Sequence, residues 1–289
     1  MKEVIKKIFV ISWACILLML IGLTTSGAIG ATGPRITPGL LSLEKLEIFA
    51  YEYPPLATIA MSGGGLYAEI VLEALNEEKV ESIITILPVR SLVKYNLIQD
   101  TAIAILGQGW NFSEEQRKQL IVIPFCIITG EYVYYRSAHR QELTWEGKLD
   151  NLKGYTYGAQ KGEDVTAYEK AGIGVVYGNS VSLFKKLKAR EIDFLSTPNI
   201  CKEWLIKKYF PGESNNFATM KIPAWEAPSA ILFNKKHPEG ESVAKKFMEG
   251  FEKIKQNGKY IEILEKYYGK GNIPKDYIQR LENYQKKTE

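Results

Sequence analysis

Between Leu46 and Leu75 the hydrophobic pattern changes period once. Leu46, Ile48 and Ala50 alternate with Glu47, Phe49 and Tyr51, which is the period of a strand. Pro54 and Pro55 end it, because neither can donate to a ladder. Ser62 and Gly63, Gly64 and Gly65 make a turn. Leu66, Ile70, Leu72 and Leu75 then fall on one side of a helix, with Glu69 and Glu73 on the other. This order places Tyr51, Tyr53 and Pro54 at the carboxyl end of a first strand, where ligands bind in open α/β sheets. The competing reading is a plain βα connection whose aromatics only pack.

The same alternation of periods continues along the chain. Strands are predicted over 81–87, 101–106, 120–126 and 132–135, and a helix over 90–98. Ser113 reads as an N-cap, with Glu114 and Glu115 in the first turn and Gln116 at capping-box spacing. A second series starts at Leu149: a strand and glycine turn within 149–164, a helix over 165–171, a strand over 173–177 and a helix over 181–190. A strand over 192–195, a helix opened by Pro198, Asn199 and Cys201, and a strand over 230–233 follow. Val243, Phe247, Phe251 and Ile254 keep helical spacing, and Ile261, Leu264 and Tyr268 resume it after Asn257-Gly258. Strands alternating with helices predict parallel sheets.

The N-terminus changes the picture of where the chain works. Lys2, Lys6 and Lys7 precede an apolar run from Ile8 to Leu23, and small residues follow up to Ala31. That is the pattern of a signal peptide over 1–31, cleaved near Ala31; an uncleaved anchor is the alternative. Cys15 lies inside the run and is badly placed for lipid attachment. Residues 32–42, rich in Gly and Pro, read as a mobile lead-in.

Charge excludes one class of partner. The chain carries 37 Lys+Arg and 33 Asp+Glu; loss of residues 1–31 removes three lysines and one glutamate, leaving 34 and 32. Such a balance argues against nucleic acid, which needs a clustered basic surface. Cys126 and Cys201 do not define a disulfide framework. No Cys/His cluster has metal-ligand spacing, and His139 and His237 read as surface residues.

Five stretches, taken together and in order, carry a resemblance: YEYPPL with the following glycine turn and helix, ILPVR at 86–90, LKGYTYGAQKGED at 152–164, GNSVSLFKKLKAREIDF at 178–194, and AILFNKKHPEG followed by GKYIEILEKYYG. The chain resembles bacterial extracellular solute-binding proteins of family 3, the periplasmic receptors of polar-amino-acid ABC importers. The resemblance runs from about Leu43 to Tyr277. It implies an α/β, two-lobe periplasmic-binding-protein fold, each lobe a sheet flanked by helices, with two hinge strands near Ile127–Tyr135 and Ser229–Asn234. Lobe 1 would be discontinuous, 43–131 plus 234–289, and lobe 2 would span 132–233. Cys126 and Cys201 then belong to different lobes, and two free, buried thiols are expected.

The implied function is capture of a small polar organic solute, an amino acid or a relative of one, in an interlobe cleft, by a periplasmic monomer serving an ABC permease, with no cofactor, metal or catalytic residue. Tyr53 matches the aromatic that covers the ligand, though it could pack on Pro54 and Pro55 instead. Gln108 and Trp110 sit in a loop that offers polar groups, where Trp110 could equally anchor the loop. Arg117 lies near the arginine that pairs with a ligand carboxylate, or else is a solvated helix residue. Lys161, Gly162 and Glu163 match the carboxylate-gripping turn, with Glu163 where threonine is usual; a second negative charge there would disfavour purely anionic ligands. Near Pro198, where an acidic residue usually meets the ligand's amino group, no acid stands. Asn179 and Ser180 head a helix and could bind an anion, although N-capping by Ser180 is the simpler use.

Two other functions share this fold. One is a dehydratase resembling cyclohexadienyl dehydratase, with Glu163 or Glu226 as general acid. The other is a ligand-sensing partner of a membrane signalling protein.

Overall fold

The computed structural model describes residues 45–287 apart from Asp100, Trp110, Asn111 and Arg140, so the signal-peptide reading of residues 1–31 lies outside the described residues. The first strand, β1 (Leu46–Tyr51), buries Ile48 and Ala50 on one face, as the alternation requires. Helix α1 (Leu66–Glu77) follows, burying Leu66, Ile70, Val71 and Leu75. Its start is crowded: Gly65 has φ 99°, and a Cβ there would lie 2.6 Å from the Pro55 carbonyl oxygen. Only glycine combines that conformation with that approach.

The remaining strands are β2 (Ser82–Leu87), β3 (Ala104–Gly107), β4 (Leu120–Tyr135), β5 (Thr156–Gln160), β6 (Gly174–Gly178), β7 (Phe194–Pro198), β8 (Phe217–Thr219) and β9 (Trp225–Asn234). The remaining helices are α2 (Arg90–Ile98), α3 (Glu114–Lys118), α4 (Thr166–Lys170), α5 (Ser180–Ala189), α6 (Asn199–Tyr209), α7 (Gly240–Gln256), α8 (Lys259–Tyr268) and α9 (Tyr277–Lys286). The strand order is β2-β1-β3-β9-β4-β7-β5-β6, with β8 also on β4. β1 pairs in parallel with β2 and β3, and β5 in parallel with β6 and β7. These two parallel sets are the sheets of the two lobes.

The strands between them correct the expectation of purely parallel sheets. β9 runs antiparallel to β3, β4 antiparallel to β9, and β7 antiparallel to β4. The stretches expected as two separate strands, 120–126 and 132–135, are one 16-residue strand. Its first part pairs with β9 and its last part with β7 and β8, so one strand belongs to both lobes. β9 begins at Trp225 and lies opposite Gly130, where a Cβ would meet the Trp225 ring at 2.1 Å. The connecting ribbon is therefore the part of β4 and β9 that pairs with neither β3 nor β7, Cys126–Thr129 against Glu226–Ser229. Residues 230–233, expected in a hinge, pair with β3 instead.

Pro124 sits inside β4, and the register slips between it and Cys126. A bulge is where a strand tolerates a residue without an N–H. Three tyrosines of the C-terminal helices fix this irregular segment. Tyr260 donates to the Phe125 carbonyl at 2.7 Å, the Ile127 N–H donates to Tyr277 Oη at 2.8 Å, and Tyr268 lies 3.5 Å from the Ile127 carbonyl. From the other side, Tyr67 of α1 meets Ser229 of β9 at 2.5 Å, hydroxyl to hydroxyl. Cys126 and Cys201 are both free and fully buried in the same apolar cluster as these residues. His139, read as a surface residue, is largely covered: its ring packs on Tyr134 and its Nε2 lies 3.3 Å from the Asp193 carbonyl.

Candidate functional site

A cavity of about 1110 Å³ opens where the carboxyl ends of the strands of both lobes face each other. From the first lobe come Tyr51, Glu52 and Tyr53 after β1, Arg90 after β2 and Gln108 after β3. From the second come Gln160, Lys161 and Glu163 after β5, Asn179 and Ser180 after β6, and Ser196 of β7. Ile128 and Glu226 of the ribbon, with Trp225 at its edge, lie between them. This is the location expected for ligands in such sheets, at carboxyl ends and at a domain boundary.

The aromatic wall is built on β1. Tyr51 and Tyr53 stack with ring centroids 5.6 Å apart and an interplanar angle of 23°. Residue 52 between them turns away: its carboxylate accepts from the Thr58 hydroxyl and, at 3.1 Å, from the Ile59 N–H. Glu52 thus fastens its own loop. Burial raises the pKa of both phenols, well above the usual range for Tyr53, so they stay neutral. Arg90 lies with Cζ 4.8 Å from the Tyr51 ring centroid and donates from Nη2 to the Tyr51 hydroxyl at 3.1 Å. Gln108, otherwise buried, also meets the Tyr51 hydroxyl.

Across the cavity, the turn after β5 is closed by Glu163. Its Oε1 accepts from Tyr157 Oη at 2.5 Å and its Oε2 from the Gln160 N–H at 3.0 Å. Tyr157 itself is stacked on Tyr168, centroids 4.1 Å apart. Glu163 thus holds the turn from within. Both of its oxygens are met by donors of its own lobe. Asn179, not Ser180, caps α5, accepting from the Ser182 N–H at 2.8 Å. Ser180 Oγ is instead within 3.4 Å of Gln160 Nε2. At the floor, Trp225 Nε1 donates to Ser196 Oγ at 2.7 Å, which fixes the indole. Glu226 accepts from Arg280 of α9 and lies 3.4 Å from the Thr129 hydroxyl.

The structure therefore brings Tyr53, Gln108, Lys161, Glu163, Asn179 and Ser180 to one cavity. Gly162, at φ 86°, shapes the turn without lining the cavity. Trp110 lies outside the described residues. Arg117 requires a correction. The capping box of Ser113 and Gln116 is present and sets α3, but Arg117 stands on the exposed side of that five-residue helix and does not line the cavity. Tyr51, expected at the ligand-binding end of its strand, lines the cavity too, and so do Arg90, Ser196 and Trp225, which the sequence reading does not single out. For Arg90 the signal was available: ILPVR puts it at the carboxyl end of the second strand, the rule already applied to Tyr53.

A shallower concavity, about 780 Å³, lies on the outer face of α1 and α8. Its Lys266 pairs with Glu69 at 2.6 Å, and Tyr267 donates to the same carboxylate at 2.6 Å. Among the described residues there is no group of three or more His, Cys, Asp or Glu that could hold a metal ion, and no helix long and apolar enough to cross a membrane.

No family model and no curated protein sequence matches the chain. Solved structures share its fold. A histidine kinase sensor domain with similarity to periplasmic binding proteins aligns with TM-score 0.63 at 16% identity, over 78% of this chain and 96% of that one. AbpA, an amino acid ABC transporter substrate-binding protein from Streptococcus pneumoniae solved with L-arginine, aligns with TM-score 0.60 at 14% identity, covering 81% and 98%. The GluR0 ligand-binding core from Nostoc punctiforme, in complex with L-glutamate, aligns with TM-score 0.59 at 12% identity, covering 78% and 99%. The likeness shows the architecture: a two-lobe periplasmic-binding-protein fold.

Proposed function

We propose that this protein is an exported receptor that captures a small polar organic solute between its lobes and presents it to an ABC permease. The observation that carries this reading is the composition of the cavity. Two lobes connected by a two-stranded ribbon each contribute polar groups to it, and a stacked tyrosine pair lines one wall. Hinge closure would bring the two sets onto one ligand. The lobes are taken as 43–131 plus 234–289 and 132–233, the receptor as a monomer, and residues 1–31 as its export signal. Solved neighbours include substrate-binding proteins of amino acid ABC transporters, which supports the transport reading.

A sensor role, in which the closed state is read by a membrane signalling protein, is supported by the likeness to a histidine kinase sensor domain. The dehydratase reading has less support, since Glu163 and Glu226 are both engaged by donors of their own chain. The test is a thermal-shift screen of metabolites, since a solute that binds only the folded state raises Tm by mass action. A ligand recovered unchanged after incubation supports a receptor. A ligand consumed by the protein, or no ligand at all, overturns the reading.

A further inference from the structure

The charged groups of the cavity are not equally free. Three carboxylates line it, and each is taken up by its own chain. Glu52 accepts from Thr58 and Ile59, Glu163 from Tyr157 and Gln160, and Glu226 pairs with Arg280. The two cations are different. Among the described residues Arg90 makes one hydrogen bond, to the neutral hydroxyl of Tyr51, and pairs with no carboxylate. A guanidinium has five N–H donors in a planar fork suited to a carboxylate, so most of the fork is unused. Lys161, exposed on the opposite side, has no hydrogen-bond or ion-pair partner among the described residues.

We propose that the cleft selects a small organic carboxylate that carries no ammonium group, its carboxylate taken by Arg90 and Lys161 and its body laid against Tyr51 and Tyr53. This rests on the cleft being the solute site and deepens that reading by naming the ligand class. The Tyr51 ring holds the guanidinium in place before the ligand arrives, so little side-chain freedom remains to be lost on binding. An α-amino acid would bring an ammonium group beside Arg90 or Lys161, a like-charge contact that the acid without the amino group avoids.

Matched pairs that differ by one ammonium group test this: succinate against L-aspartate, and 3-phenylpropanoate against L-phenylalanine, titrated calorimetrically into the protein. The expected result is at least tenfold tighter binding of the acid without the amino group in one pair. Arg90→Gln should lower that affinity by about ten- to a hundredfold, and Arg117→Ala should leave it unchanged. Tighter binding of the amino acid in either pair overturns the proposal, as does an affinity for the anion that survives Arg90→Gln. Binding of none of the four acids also overturns it. If the metabolite screen then finds an uncharged or cationic ligand, the receptor reading stands without this ligand class; if it finds none, that reading falls first.

Discussion

The guanidinium of Arg90 lies over the ring of Tyr51, Cζ 4.8 Å from its centroid, and donates to the hydroxyl of the same residue at 3.1 Å. Tyr51 ends β1, and Arg90 opens α2 just beyond the end of the neighbouring parallel strand β2, so the sheet brings them together. The contact fixes the direction of a charge that no carboxylate neutralises among the described residues. Tyr51→Phe keeps the ring and removes the hydroxyl. A guanidinium no longer held by the hydroxyl must be immobilised on binding, which costs about 0.5–1.5 kcal/mol, or about two- to tenfold in affinity. Titration with a ligand from the screen should show that loss with little change in the Tm of the free protein. Unchanged affinity would mean that the hydroxyl does not position Arg90.

Arg117→Ala should alter neither ligand affinity nor stability beyond about 0.5 kcal/mol, the range for exposed positions. Calorimetry and chemical denaturation check this. A tenfold loss of affinity would place Arg117 in the site after all.

Tyr277→Phe should destabilise the fold by about 1–3 kcal/mol. The Ile127 N–H donates to the Tyr277 hydroxyl at 2.8 Å, and that hydroxyl lies 3.2 Å from the Ile127 carbonyl and donates to it, where the strand partner Pro228 has no N–H to offer. Removing the hydroxyl leaves a buried donor beside the ribbon with no partner. Urea denaturation measures the change, and a loss below 0.5 kcal/mol would show that the ribbon relaxes to satisfy the group.

Stability should fall at alkaline pH. Burial pushes the Cys126 thiol up from 9 to about 12, and the Cys201 thiol and several phenols are raised as well. The unfolded chain releases the Cys126 proton near 9, while the folded chain keeps it. Stability is therefore complete below about 9 and declines as pH rises towards 12, by about 1.4 kcal/mol per unit for this group. Tm should be lower at pH 10 than at pH 8 by a few degrees. An equal Tm would show that Cys126 ionises alike in both states. Without reductant, both thiols should react only after unfolding, and a denatured, unreduced monomer with no free thiol would contradict their free state.

How far the sequence reaches is clearest from individual elements. The turn from β1 to α1 and the capping box at Ser113 are where they were expected, because period and capping are local properties. β4 read as two strands because Thr129-Gly130-Glu131 looks like a break; Gly130 is there to admit the Trp225 ring. β9 was underestimated because Pro228 and Glu226 argue against a strand, yet their places in the ribbon are set by pairing with β4. α9 went unread because only Tyr277 and Leu281 are fully buried in an otherwise polar helix. Arg117 and Arg90 show the limit for sites. Local spacing predicts a helix at 114–118 but not which way its short side faces, whereas strand order decides that Arg90 meets Tyr51.

Capture of one solute by groups from both lobes is the proposed function. Its most direct test is calorimetric titration of a screened ligand into the wild type and into two single variants, Arg90→Gln from the first lobe and Ser180→Trp, which fills the cavity from the second. Both variants should weaken binding at least tenfold while the free proteins melt within a few degrees of wild type. Full affinity in either variant would contradict a site shared between the lobes.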